Sequence, residues 1–192
     1  MDKKGIINMN INAQIYNDIE SILFTKEQIH EAVEKLGKKI TKDYAGKEPI
    51  FICILKGASI FFADLIREID LPLSIDHMAI SSYGNSTNSS GEVRLIKDMD
   101  RSIHGKDVII VEDIVDTGTT LNYLKKILAN RGANSVKIAS LLDKPARRKV
   151  DIEVEYSCFE TPDEFVVGYG LDYAEKYRNI PDVCVLKKEI YN

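Results

Sequence analysis

Two short runs of consecutive apolar residues constrain the fold of this chain more than any other feature. The first covers residues 50–55 and the second residues 108–111, and no polar side chain interrupts either one. A strand that is apolar on both faces is typical of a parallel sheet that lies between two layers of helices. Both runs are much shorter than the roughly 20 apolar residues of a membrane-spanning helix. We therefore expect a covered sheet and no membrane partner.

Helical periodicity alternates with such strands along the chain. Thr25 to Gln28 has the form of a capping box, and apolar residues follow at helical spacing over about four or five turns. Further helices are predicted over 58–69 and about 119–130, and further strands over 73–80, 93–96, 107–111, 135–142, 165–167 and 183–186. The predicted fold class is α/β, a mainly parallel twisted sheet flanked by helices. Ligands of such sheets bind at the carboxyl ends of the strands.

Composition narrows the functional classes. The 192 residues suit one domain, and 26 basic against 30 acidic residues give a formal net charge of −4. This balance provides no basic surface for nucleic acid or an anionic membrane, so we expect neither partner. The first residues lack the apolar segment of a signal peptide, which predicts a cytoplasmic protein. Three separate cysteines among apolar neighbours indicate reduced, buried thiols.

One segment, residues 81–92, is composed almost entirely of Ser, Asn, Gly and Thr. Such a composition builds no packed element, and long loops within compact domains are either functional lids or disordered. Composition alone leaves both interpretations open.

The segment from residue 108 to 121 is the most informative for function. An apolar strand leads into the adjacent acids Glu112 and Asp113, then into Asp116 and a Thr-Gly-Thr-Thr turn at a predicted helix N-terminus. Backbone N–H groups and hydroxyls at such a terminus bind phosphate, and neighbouring carboxylates accept hydrogen bonds from ribose hydroxyls or hold hydrated Mg2+. The alternative is that Asp116 or Thr117 only caps the helix.

This segment resembles the phosphoribosyl-pyrophosphate motif of the type I phosphoribosyltransferases, and Glu-Asp-Ile-Val-Asp-Thr-Gly is similar to the hypoxanthine-guanine branch. Spaced matches extend the resemblance from about residue 50 to 185. They are Leu55-Lys56-Gly57, Ser82-Tyr83-Gly84, Asp143-Lys144-Pro145 and the segment 165–173 together with Arg178.

The resemblance implies the type I phosphoribosyltransferase fold in a single domain, residues 1–192. Its core would cover about 25–160, a small hood would come from 1–24 and 161–192, and a mobile lid would cover about 81–92. The implied reaction transfers the phosphoribosyl group of 5-phosphoribosyl-1-pyrophosphate to N9 of a 6-oxopurine, hypoxanthine or guanine. Mg2+ is the implied cofactor, and relatives suggest a homodimer or homotetramer.

The resemblance also assigns roles to residues of this chain. Asp116 would be the catalytic acid or base beside purine N7, or mainly a positioning acceptor. The phosphoribosyl-binding residues would be Glu112, Asp113, Asp116, Thr117, Gly118, Thr119 and Thr120. The pyrophosphate-binding residues would be Leu55, Lys56, Gly57, Ser82, Tyr83 and Arg178, with a cis peptide bond at Leu55–Lys56. The purine-binding residues would be Lys144, Phe165, Val166 and Asp172, and the metal ligands Glu112, Asp113 and Asp172.

Several points stay open at the level of sequence. Many relatives carry a lysine where Thr119 stands, so the phosphate here would depend more on N–H groups and hydroxyls. The basic residues 147–149 match no ligand role and favour a solvated face or a subunit contact. A xanthine-preferring enzyme and a nucleic-acid-binding regulator are the alternative functions. The acids gathered around Asp116 would repel an anionic sugar diphosphate, which is why Mg2+ is expected.

Overall fold

The computed structural model describes residues 14–82 and 93–191, which form two sheets and the helices around them. The strands are β1 (Ile19–Phe24), β2 (Ile50–Leu55), β3 (Ser74–Ser82), β4 (Val93–Lys97), β5 (Asp107–Val115), β6 (Ser135–Asp143), β7 (Tyr156–Glu160), β8 (Val166–Val167) and β9 (Val183–Leu186). The helices are α1 (Lys26–Asp43), α2 (Ser59–Arg67), α3 (Thr119–Asn130) and α4 (Lys188–Tyr191), and short 3-10 turns cover Gln14–Tyr16 and Pro145–Arg147.

The larger sheet has six strands in the order β4-β3-β2-β5-β6-β7. Strands β3, β2, β5, β6 and β7 run parallel to their neighbours, and only β4 pairs in the antiparallel direction, with β3. This arrangement confirms the predicted mainly parallel α/β sheet and the predicted pairing of β3 with β4.

The apolar run of β2 is explained by its two covered faces. Ile50, Ile52 and Ile54 pack on one side with residues of α3. Phe51 and Cys53 face the other side, in the core formed with α1 and α2. Since successive side chains of a strand point to opposite faces, both sets must be apolar.

Helix α1 begins as its sequence predicts. The Thr25 side chain accepts the backbone N–H of Gln28, and the Gln28 side chain accepts that of Thr25. These two bonds satisfy N–H groups that lack partners within the helix. The apolar face of α1 then buries Ile29, Val33, Leu36 and Ile40 in the core.

Strand β5 is longer than predicted, which changes the setting of the acids. Its pairing with β2 stops at Val111, but its pairing with β6 continues to Val115. Glu112 and Asp113 therefore lie within β5 rather than in a loop after it. At these two residues, one edge of β5 is hydrogen-bonded to β6. The other edge, which faces β2, no longer pairs with a strand and is called the open edge.

A second sheet joins distant parts of the chain in the antiparallel order β1-β9-β8. It confirms the hood that the fold class includes, while the domain boundaries stay predictions. The sequence prediction missed β1 and β7. Residues 1–13 of the predicted hood and 83–92 of the predicted lid lie outside the described residues.

The three cysteines are free thiols. Cys53 and Cys184 are buried as predicted, but Cys158 is only partly buried. Among the described residues, no helix is both long and apolar enough to cross a membrane.

Candidate active site

A cavity of about 340 Å³ opens at the carboxyl ends of β2 and β5, where the fold predicts a ligand site. Its lining includes most of the predicted phosphoribosyl and pyrophosphate residues. They are Leu55, Lys56, Gly57, Glu112, Asp113, Asp116, Thr117, Gly118, Thr120 and Arg178, and Asp172, predicted for the purine and the metal, also lines the cavity. We call this space the phosphate cavity.

Glu112 and Asp113 form an acidic pair on the open edge of β5. Desolvation, and then the adjacent carboxylate of Asp113, hold the pKa of Glu112 well above its usual value. Desolvation also raises the pKa of Asp113. The Asp113 carboxylate accepts the backbone N–H of Ile114 at 2.7 Å. Because two neighbouring carboxylates repel each other, the pair favours a bound cation or hydroxyl donors.

The loop after β2 lies directly against this acidic pair. Its Leu55–Lys56 peptide bond is cis, as the resemblance implies. Gly57 approaches Asp113 so closely that a Cβ at residue 57 would overlap the carboxylate. A side chain at position 57 would therefore displace the Asp113 carboxylate from its present position.

Two cations of the phosphate cavity are already paired with acids. Lys56 Nζ donates to Glu175 Oε2 at 2.9 Å, and Arg178 Nη2 lies 2.8 Å from Asp172 Oδ1. Glu175 Oε1 also lies 3.6 Å from Arg178 Nη2, so this one acid bridges both cations. An anionic ligand that binds Lys56 and Arg178 must therefore compete with Glu175.

The Thr-Gly-Thr-Thr turn leads into α3 through a glycine at the N-cap position. Gly118 is the N-cap residue, with a φ of 76°, and no side chain caps the helix from that position. The N-cap residue is therefore neither Asp116 nor Thr117, but the capping interpretation stays open for Thr117, whose side chain accepts the first backbone N–H of α3. Thr119 does not belong to the cavity lining, and its backbone N–H donates to Thr117 Oγ1 at 3.4 Å.

A second cavity of about 560 Å³ adjoins the first, and we call it the base cavity. Asp113, Ile114, Asp116 and Asp172 line both cavities. The base cavity also contains the remaining predicted purine residues, Lys144, Phe165 and Val166. The structure thus brings the separate sequence matches into one continuous site.

Lys144 and Phe165 present different chemistry to the base cavity. The Lys144 residue is only 6% exposed, its Nζ donates to the Glu164 carbonyl at 2.6 Å, and desolvation lowers its pKa. Phe165 stacks on Tyr191 with ring centroids 4.6 Å apart and is still 38% exposed. Lys144 therefore offers a donor, and Phe165 an aromatic surface.

The three predicted metal ligands do not form a metal site by themselves. No group of three or more His, Cys, Asp or Glu side chains within residues 14–82 and 93–191 is arranged to hold a metal ion. Asp172 uses both oxygens elsewhere, on Arg178 and on the backbone N–H of Glu175. Glu112 and Asp113 still fit Mg2+, because this ion is usually bound through one or two carboxylates together with substrate phosphates.

Sequence reasoning missed three charged residues of the base cavity, Arg147, Asp163 and Glu164. Arg147 contacts Asp116, and Arg148 donates to the Asp116 carbonyl at 2.9 Å. Arg147 is nevertheless 48% exposed, so its contact with Asp116 does not contradict the expected solvated face, and the subunit contact stays a prediction. The only sequence signal for a role of these arginines in the site is that they closely follow Lys144.

Two predicted pyrophosphate residues cannot be placed in the cavity. Ser82 is the last residue of β3, and Tyr83 lies outside the described residues with the rest of the lid. Their roles stay predictions.

Comparison with known proteins agrees with this geometry. Residues 21–174 match the phosphoribosyl transferase domain family. The chain is 57% identical over 175 residues to a hypoxanthine-guanine phosphoribosyltransferase of Streptococcus thermophilus, covering 91% of this chain and 97% of that protein. A Bacillus subtilis enzyme of the same name is 53% identical over 175 residues, with the same coverage.

A solved structure extends the agreement to three dimensions. A hypoxanthine phosphoribosyltransferase of Staphylococcus aureus superimposes with a TM-score of 0.92 at 51% identity, covering 95% of this chain and 99% of that one. The matched family, the close relatives and the two joined cavities lead to one conclusion: the chain belongs to the phosphoribosyltransferase family.

Proposed function

We propose that the protein transfers the 5-phosphoribosyl group from 5-phosphoribosyl-1-pyrophosphate to N9 of hypoxanthine or guanine, releasing pyrophosphate and forming IMP or GMP. The observation that carries this function is the sharing of Asp113 and Asp116 by the phosphate cavity and the base cavity. A reaction between an anionic sugar and a planar base needs two such adjoining spaces. The names of the relatives support the same reaction.

The phosphate cavity supplies the sugar-binding groups. Thr117, Gly118 and Thr120 bind the 5′-phosphate through N–H groups and hydroxyls near the start of α3. Glu112 and Asp113 accept hydrogen bonds from the ribose hydroxyls. Lys56 and Arg178 bind the departing pyrophosphate. Glu112 and Asp113 are the acids that would hold Mg2+, which would neutralise charge on the pyrophosphate.

The base cavity supplies recognition and proton handling. Lys144 donates to the C6 oxygen, a contact that the 6-amino group of adenine cannot accept. Phe165 stacks on the purine, and the Val166 backbone meets its edge. Asp116 lies beside N7 and accepts or returns a proton there as the glycosidic bond forms at N9.

The decisive experiment measures nucleotide formation from hypoxanthine, guanine, xanthine and adenine with the sugar diphosphate and Mg2+. We expect IMP and GMP, no AMP, and loss of activity in EDTA that added Mg2+ restores. Lys144→Met should reduce kcat/KM for hypoxanthine, whereas Lys35→Met on the exposed face of α1 should not. A clear preference for xanthine favours that alternative, and no nucleotide from any 6-oxopurine refutes the function.

Assembly and location are separate proposals. We retain the homodimer or homotetramer and the cytoplasmic location that the sequence predicts. Light scattering of the purified protein measures the oligomeric state, and cell fractionation measures the location.

A further inference from the structure

Arg147 ends the 3-10 turn Pro145–Arg147 and reaches into the base cavity. Its Nε lies 3.0 Å from Asp116 Oδ1, and its Nη1 donates to Asp163 Oδ1 at 3.2 Å. One guanidinium thus bridges two carboxylates that lie on different segments of the chain. The first is the acid assigned to purine N7.

The two oxygens of the Asp116 carboxylate lie in different surroundings. Oδ1 is buried and has no aligned hydrogen bond, so the Arg147 contact is electrostatic. The Asp116 side chain as a whole is nevertheless 40% exposed. That exposure belongs to its other atoms, of which Oδ2 is the only polar one. Because Oδ1 is buried, a ligand that meets this carboxylate must do so through Oδ2.

Without a partner, a carboxylate turns easily about its Cβ–Cγ bond, because this torsion is broad and nearly two-fold. A guanidinium restricts such rotation better than an ammonium, since it is planar and always charged. The Asp163 contact holds the guanidinium at its far side. Arg147 thus has the chemistry and the anchoring to hold Asp116 in one orientation.

The neighbouring arginine fixes the backbone of the same acid. Arg148 Nη1 donates to the Asp116 carbonyl at 2.9 Å, and its Nη2 contacts the Asp143 carboxylate. Arg148 is therefore anchored by the end of β6. Backbone and carboxylate of Asp116 are held by consecutive arginines.

We propose that Arg147 is a positioning residue that orients the Asp116 carboxylate, with Oδ2 toward the purine, and thereby raises kcat. This role rests on the proposed function, because Asp116 meets a purine only in that reaction. Arg147 itself does not touch the reacting atoms.

The test compares Arg147→Ala, Arg147→Lys and Asp116→Asn in steady-state kinetics with hypoxanthine. Arg147→Ala should lower kcat about 10- to 100-fold, as misorientation of a reacting group does. KM for the sugar diphosphate should stay within about twofold. Arg147→Lys should restore only part of kcat. Arg131→Ala is the matched control, because Arg131 pairs with Asp98 at 2.6 and 2.7 Å on the protein surface.

Chemical rescue separates positioning from a structural role. Millimolar guanidinium chloride should raise kcat of Arg147→Ala and leave Asp116→Asn unchanged, since only the first variant has a space for the ion. Sodium chloride at the same concentration should not change kcat of either variant. If Arg147→Ala does not fold, Asp163→Asn loosens the same guanidinium and should lower kcat with KM for the sugar diphosphate unchanged.

Three results overturn the inference. They are unchanged kcat in Arg147→Ala while Asp116→Asn is impaired, increased kcat in Arg147→Ala, and an impaired variant that guanidinium does not rescue. None of these affects the proposed function, which fails only if the wild-type protein makes no nucleotide.

Discussion

Gly57, in the loop after β2, lies so close to Asp113 of β5 that a side chain at residue 57 would overlap the Asp113 carboxylate. Gly57→Ala would force the Asp113 carboxylate away from its position on the open edge of β5. We expect this variant to fold and to lose most of its activity, because the acidic pair no longer meets the ribose. Initial rates and a melting curve measure the two effects.

Gly46→Ala is the control for that substitution. A Cβ at residue 46 has nothing within 4 Å, but its φ of +77° costs about 1 kcal/mol of stability for a side chain. The control should therefore melt at a lower temperature and keep its activity. Full activity in Gly57→Ala would show that the contact is irrelevant to catalysis.

Asp116→Asn tests the acid that both cavities share. Removing the proton-transfer group should lower kcat by about 100-fold or more while KM for the sugar diphosphate changes little. Asp151→Asn, at an exposed position, serves as the control. Near-normal kcat would mean that another group handles the proton at N7.

Glu175→Gln tests the acid that bridges Lys56 and Arg178. The Lys56 hydrogen bond and charge lower the pKa of Glu175, so the carboxylate stays charged at the pH of any ordinary assay. Neutralising it should free Lys56, leave Arg178 paired with Asp172 alone, and reduce KM for the sugar diphosphate about two- to fivefold at low salt. The difference should shrink in high salt.

The control for Glu175→Gln is Glu31→Gln, which removes an exposed acid from α1. An increase of KM in Glu175→Gln would give Glu175 the opposite role, that of holding the two cations in place.

Tyr44→Phe tests a buried hydroxyl far from the site. Tyr44 is 2% exposed, and its hydroxyl has no hydrogen-bond partner among the described residues. An unsatisfied buried hydroxyl costs about 1 kcal/mol or more, so the variant should be at least as stable as the wild type at pH 8.

Burial also raises the pKa of Tyr44 to about 12, from about 10 in an unfolded chain. Below pH 10 the phenol is neutral in both the folded and the unfolded chain, so this group does not lower the free energy of unfolding. As the pH rises from 10 toward 12, the unfolded chain ionises first, and the free energy of unfolding falls by about 1 kcal/mol at pH 11. Urea unfolding at pH 8 and 11 should show a smaller alkaline loss in Tyr44→Phe. Parallel losses would contradict this assignment.

Local sequence signals predicted much of the fold and of the site. The apolar run of β2, the capping box of α1 and the helix α3 each depend on neighbouring residues, and all are present. Strand β1 was missed because Glu20 and Ser21 interrupt its apolar pattern.

Features that depend on pairing between distant segments were not predictable in this way. The extension of β5 past Val111 comes from its register with β6, which leaves Glu112 in a strand. Likewise, Arg147 contacts Asp116 and Asp163 because β5 and β6 are parallel neighbours, so that the segments after their carboxyl ends lie side by side. No pattern near residue 147 carries that information.

The pairing of strands in the hood limits when this sheet can form during synthesis on the ribosome. Strand β1 is made long before its partner β9, since Ile19 pairs with Leu186. Domains fold from the N-terminal side during synthesis, and such distant pairing must wait. The acids of β5 are therefore made before Phe165 of the base cavity and Arg178 of the phosphate cavity, so neither cavity has its full lining until the segment from 165 to 186 has folded.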